Sequence, residues 1–200
     1  MHKVFISYHH ANDQWYKEEL IKFAEQNQIF NDQSVDTGDI DDDLDDETIR
    51  ELIRDDYLKD TSVTILLVGT ETKQRKHVDW ELYSSMRDGR VNKKSGIIVI
   101  TLPSTGCTSY QVAHKGEKEI VYPTTSQWTT ITERAEFEKR YPCLPNRIID
   151  NLLAPKAKIS VTNWDKINVE RLTFLVNAAY DDRLSCEYDL SRKMRKANSW

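Results

Sequence analysis

The chain has 200 residues, 38% hydrophobic and 30% charged, enough apolar material for one domain with a proper core and too much for disorder throughout. A net charge of −5 argues against a nucleic-acid partner, whose phosphates demand clustered Lys and Arg. No apolar run approaches the roughly 20 residues that span a bilayer, and the start MHKVFISY lacks a cationic leader, so a cytoplasmic protein without a membrane anchor is expected.

In chain order, KVFISY (Lys3 to Tyr8) reads as a strand and leads through His9, His10 and the cap-type residues Asn12 and Asp13 into a helix. Tyr16, Leu20, Phe23 and Ala24 recur there at helical spacing. A short second strand is expected near Ile29 and Phe30. The segment from Asp36 to Glu47 holds eight carboxylates around Gly38 and must be a loop in water. Its last acids precede Ile49, Leu52, Ile53 and Tyr57, which resume the helical period, so they fall at a helix N-terminus that favours negative charge.

SVTILLVG (Ser62 to Gly69) is a near-continuous apolar, β-branched run, the pattern of a parallel strand covered on both faces. A helix from about Val78 to Asp88 follows, with Val78, Leu82 and Met86 on one stripe, and GIIVITL (Gly96 to Leu102) supplies a fourth strand. Such alternation predicts an α/β fold, a doubly wound parallel sheet with ligands at the carboxyl ends of its strands. Beyond Pro103 the pattern dissolves into Ser, Thr and scattered aromatics until a helix near 168–184. Trp128, Tyr141, Trp164 and that helix are expected to pack on the sheet. The organisation is therefore read as residues 1–105 forming the α/β unit and 106–200 an extension packed on it. The basic cluster Arg192, Lys193, Arg195, Lys196 reads as a solvated end.

Several chemistries are excluded by what the chain lacks. Its six glycines match neither a P-loop nor a dinucleotide fingerprint. Gly38 as the sixth residue of a calcium loop would need an acid at Gln33. No Asp ends the central strand as a phosphoacceptor would, and no Ser or Cys sits in a nucleophile elbow. Cys107, Cys143 and Cys186 are too widely spaced for a metal site and read as reduced packing residues. His9, His10 and His77 show no ligand spacing and read as polar surface residues. Glu81 shares a helical face with His77, Ser84 and Asp88, away from the apolar stripe. On that ground alone it is a solvated charge.

Taken together, KVFISY, the loop and helix after it, the variable acidic loop and TSVTILLVGTETKQRKHVDWEL resemble the TIR-like family. Family members carry a W-V-x-x-E pattern opening the helix after a strand, and its glutamate is catalytic in the enzymatic ones. Here that glutamate is Glu81, with Val78 retained and His77 at the position that is often Trp. The likeness covers about residues 1 to 105 and is nearest to the TIR (ThsB-type) proteins of the bacterial Thoeris antiphage system, which turn NAD into a nucleotide signal.

The resemblance implies a flavodoxin-like TIR fold and an NAD nucleosidase or ADP-ribosyl cyclase in which NAD is the substrate and no cofactor or metal is needed. It implies Phe5, Ser7, Tyr8 and His9 as residues lining the nucleotide pocket at the end of the first strand, with His77 beside them, while Phe5 and Tyr8 read equally well as core residues. It also implies a phage-derived protein trigger and a downstream effector that senses the nucleotide. The acidic loop is read either as a solvated approach to its helix or as a contact for self-association or for a basic activator. The second functional reading is a non-catalytic TIR-like interaction module that assembles signalling complexes.

Overall fold

The computed structural model describes residues 1–34, 45–89 and 93–198, less the side chains of residues 46, 50, 56 and 57. Strands β1 (His2–Ser7), β2 (Phe30–Asp32), β3 (Val63–Val68), β4 (Gly96–Thr101) and β5 (Ile159–Asn163) form one sheet in the order β2-β1-β3-β4-β5. Every pairing is parallel. Helices α1 (His10–Gln26), α2 (Asp46–Glu51), α3 (Lys76–Met86), α4 (Glu117–Val121), α5 (Arg134–Arg140), α6 (Asn146–Leu153) and α7 (Val169–Asp182) surround it, and α2 continues as a wider, π-type turn over Leu52–Tyr57.

The central strands VTILLV and GIIVIT are buried at every position because helices cover both faces. Val63, Ile65, Leu67, Ile98 and Ile100 pack with Leu20 and Ala24 of α1 and Leu172, Leu175 and Val176 of α7. Their alternates Leu66, Val68, Ile97 and Val99 pack with Val78 and Leu82 of α3 and Ile148 and Ile149 of α6. A third cluster joins Phe5, Ile49, Ile53, Leu58, Trp80 and Met194. Gly96 lets α7 lie directly on β4, since a Cβ there would stand 2.1 Å from the carbonyl oxygen of Ala179.

Boundaries differ modestly from the sequence expectation. α1 begins at His10, before the expected cap residues, and α3 at Lys76, so that Asp13 and Glu81 stand inside helices. Asp45 caps α2, its carboxylate accepting from the N–H groups of Glu47 and Thr48 at 3.0 and 3.1 Å. The rest of the acidic run, residues 36–43, lies outside the described residues. β5 was not expected: ISVTN is only five residues long and follows a Lys- and Ala-rich stretch, yet it pairs with β4 at the edge of the sheet.

The later aromatics pack as expected. Tyr141 joins the α3 and α6 side of the core, and Trp164 meets Tyr16 edge-on at 5.0 Å. The three cysteines are free thiols, all raised above the ordinary thiol pKa by burial. The basic cluster at the end is not a solvated tail. Backbone groups of Arg192, Lys193 and Arg195 hydrogen-bond to Arg147 and Asp79, drawing this segment along α3 and α6.

Candidate functional site

The strand order reverses between β1 and β3: α1 carries the chain from β1 to β2, while α3 carries it from β3 the other way to β4. In open α/β sheets this divergence leaves a crevice at the carboxyl ends of the two strands. Ser7 closes β1 and, by strand alternation with Ile6, faces α3. Its hydroxyl donates to Glu81 Oε2 at 2.6 Å.

Both partners are buried, Ser7 at 0% and Glu81 at 3% exposure. The solvated-charge reading of Glu81 is thereby overturned, and the reason lies in the packing of α3. Val78, Leu82 and Met86 lie in the cluster shared with α6, Trp80 lies in the cluster shared with α2, and Ser84 and Ser85 are buried as well. No face of this helix is left entirely to solvent, so its polar side turns toward β1. A carboxylate in such a place needs hydrogen bonds to stay charged, and a short hydroxyl contact is one of the stronger kinds.

Beside this pair opens a cleft of about 260 Å³. Tyr8, His9, His10 and Ala11 of the β1–α1 turn line it together with Arg75, His77, Val78 and Glu81, and Asn198 stands at its rim. Tyr8 stacks on His10 with ring centroids 4.4 Å apart, and His77 meets Trp80 edge-on at 5.1 Å. The three histidines expected on the polar surface thus converge on one concavity.

Of the residues singled out in the sequence, Tyr8, His9, His77 and Glu81 line the cleft and Ser7 reaches it through Glu81. Phe5 does not, since its ring is buried against Ile49, Ile53 and Trp80. Tyr8 does both, joining the core beneath α1 while bordering the cleft.

Burial, and then the Arg75 cation, hold His9 below the usual imidazole range, so the ring is largely neutral at pH 7. Asp13, in the first turn of α1, reads in the sequence as a cap, but it is buried behind the turn and does not line the cleft. Its side chain lies against Gly69 at the end of β3, where a Cβ would come within 2.4 Å of Oδ2. Burial pushes Asp13 up to about 6, against the opposing pull of the Thr72 hydroxyl. The glycine ending so apolar a strand was the one signal that something packs there. Arg75, at the start of α3, forms an ion pair with Glu71.

Among the described residues no group of three or more His, Cys, Asp or Glu side chains is placed to hold a metal ion, and no helix is long and apolar enough to cross a membrane. Residues 5–106 match the family described as Thoeris protein ThsB, TIR-like domain, about half of the chain. No curated protein matches. The matched span holds Ser7, the β1–α1 turn, His77 and Glu81, and ends before β5, α7 and Asn198.

Proposed function

We propose a function from this premise: the chain belongs to the Thoeris ThsB TIR-like family. It is an antiphage-defence enzyme that cleaves NAD at the nicotinamide–ribose bond and forms an ADP-ribose-derived nucleotide signal. The observation that carries this reading is the Ser7–Glu81 hydrogen bond, which holds a buried carboxylate at the switch point of the sheet, on the cleft.

The chemistry asks little of the protein. Nicotinamide in NAD is a cationic leaving group that departs neutral, so no general acid is needed, and the ribose it leaves behind becomes oxocarbenium-like. A fixed carboxylate beside that ribose stabilises the developing positive charge and can orient a ribose hydroxyl, as in glycosidases. Glu81 has this role. The stacked rings of Tyr8 and His10 offer a flat surface for a planar group, and the largely neutral His9 can serve as donor or acceptor without adding charge.

The nucleophile that captures the cation decides the product. Water gives ADP-ribose, a group of the same molecule gives a cyclic nucleotide, and an outside nucleophile gives a conjugate. NAD is the substrate in this scheme and no further cofactor takes part. A phage-derived protein acts as trigger, and the product acts on a separate nucleotide-sensing effector.

The test is incubation of purified protein with NAD, with and without lysate of phage-infected cells, followed by mass analysis of the nucleotides. Glu81→Gln is expected to lower NAD consumption at least about 100-fold, the scale of a lost electrostatic partner of the transition state, with its fold unchanged. Full activity in that variant would end the catalytic assignment. It would favour the second reading, a non-catalytic interaction module, for which His77 in place of the family's frequent Trp is the specific support.

A further inference from the structure

The segment that grips the Glu81 helix comes from the part of the chain outside the family match. Asp189 exchanges two hydrogen bonds with Asn151 of α6, its N–H donating at 2.8 Å and its carbonyl accepting at 3.1 Å. Arg147, wholly buried, donates to the carbonyls of Arg192 and Lys193 at 3.0 and 3.3 Å. The same guanidinium forks onto Asp79 of α3, Nε to Oδ1 at 2.9 Å and Nη2 to Oδ2 at 3.0 Å. Asp79 Oδ2 also accepts from the N–H of Arg195 at 2.9 Å, and Trp80 Nε1 donates to the Arg195 carbonyl at 2.8 Å. Met194 is buried in the cluster that holds Trp80 and Phe5.

The last of these contacts is at the cleft. Asn198 Oδ1 accepts from the N–H of Lys76, the first residue of α3, at 2.9 Å. Arg75, which precedes the helix, offers no side-chain cap of its own. Asparagine is among the best residues for that purpose, and here it arrives from 122 residues away. Because a backbone N–H can only meet the carbonyl edge of the amide, the two donors of Nδ2 are left over. Asn198 lines the cleft with His77 and Glu81, and its Nδ2 has no hydrogen bond among the described residues.

We propose that Arg192–Asn198 is a strap that belongs to the ligand site: it fixes the first turns of α3 beneath Glu81 and presents the Asn198 amide as a donor to an oxygen of the bound nucleotide. The ligand contact rests on the NAD reading; the grip on α3 does not. Asn198→Ala removes both the cap and the donor. Asn198→Asp keeps a capping oxygen but exchanges the donor for a negative charge, so its NAD affinity is compared with wild type at high salt, where repulsion of the phosphates is screened.

Two measurements on these variants decide the matter. In amide hydrogen exchange, the first turn of α3 is expected to exchange faster than wild type in Asn198→Ala and at the wild-type rate in Asn198→Asp. In the Glu81→Gln background, where binding is read without turnover, the NAD dissociation constant is expected to rise about tenfold in both, the worth of one hydrogen bond. Unchanged exchange in Asn198→Ala would overturn the strap. Wild-type NAD affinity in Asn198→Asp, with loss only in Asn198→Ala, would reduce Asn198 to a cap and overturn the ligand contact. No NAD binding to the Glu81→Gln protein and no consumption by wild type would instead defeat the NAD reading and the ligand contact with it, leaving the exchange result to decide the grip on α3.

Discussion

Two carboxylates at the carboxyl end of the sheet are out of water, and their surroundings treat them differently. Glu81 receives the Ser7 hydroxyl, whereas Asp13 is pressed against Gly69 and raised to about 6 from an ordinary 3.8. With its folded pKa above the unfolded one, Asp13 makes the folded state hold more protons between about pH 4 and 6. Stability from this group is full below about pH 4, falls as pH rises to about 6, and stays lower beyond. Two units correspond to a loss on the order of 2–3 kcal/mol. Asp13→Asn keeps the shape and abolishes this contribution. Urea midpoints at pH 4 and 7.5 should therefore differ less in the variant than in wild type, and an identical difference would refute the assignment. Glu81 was legible in the sequence only through HVDWEL, and Ser7 only as the end of a strand. Their bond, across 74 residues, was not, since no local pattern records which strand end a helix side chain will meet.

At the scale of elements, legibility followed the length of the apolar run. β3 and β4 announce themselves by six buried positions each, while β5 is too short and too polar in its neighbours to do so. α3 was read as amphipathic with one wet face, because periodicity reports the core stripe and not what packs over the remaining sides. The β4–α7 contact carries a separate prediction. Gly96→Ala would force a methyl to within 2.1 Å of the Ala179 carbonyl, and that atom belongs to a helix backbone that cannot turn aside. A destabilisation of about 3 kcal/mol is expected, the upper part of the usual overpacking range, measured as a lowered denaturant midpoint at unchanged slope. A midpoint within error of wild type would mean that α7 shifts freely on the sheet.

For the molecule as a whole, the half outside the family match supplies an edge strand, a covering helix and the partner of Asp79. Arg147 is the knot, joining α6, α3 and the strap through one buried guanidinium. Arg147→Ala strands Asp79 without its countercharge and should cost about 3–5 kcal/mol; a loss below about 1 kcal/mol in chemical denaturation would contradict that role. The covering helix was legible by its period, but the strap was not, because it is held largely through its own backbone N–H and carbonyl groups, which every sequence possesses. Of the basic side chains there, Arg192 adds a fork onto Asp150 of α6, Nε to Oδ2 at 2.5 Å and Nη2 to Oδ1 at 3.0 Å.

The strap also sets an order in time. Lys76 and Asn198 are separated by 122 residues, an interval of roughly 6 to 24 s at ordinary rates of synthesis. Throughout that interval a growing chain already carries the catalytic candidate Glu81 and lacks the asparagine that caps its helix. The cleft is complete only once Asn198 has been made, so a growing chain short of it, or one whose translation stops before it, holds the carboxylate without the proposed strap.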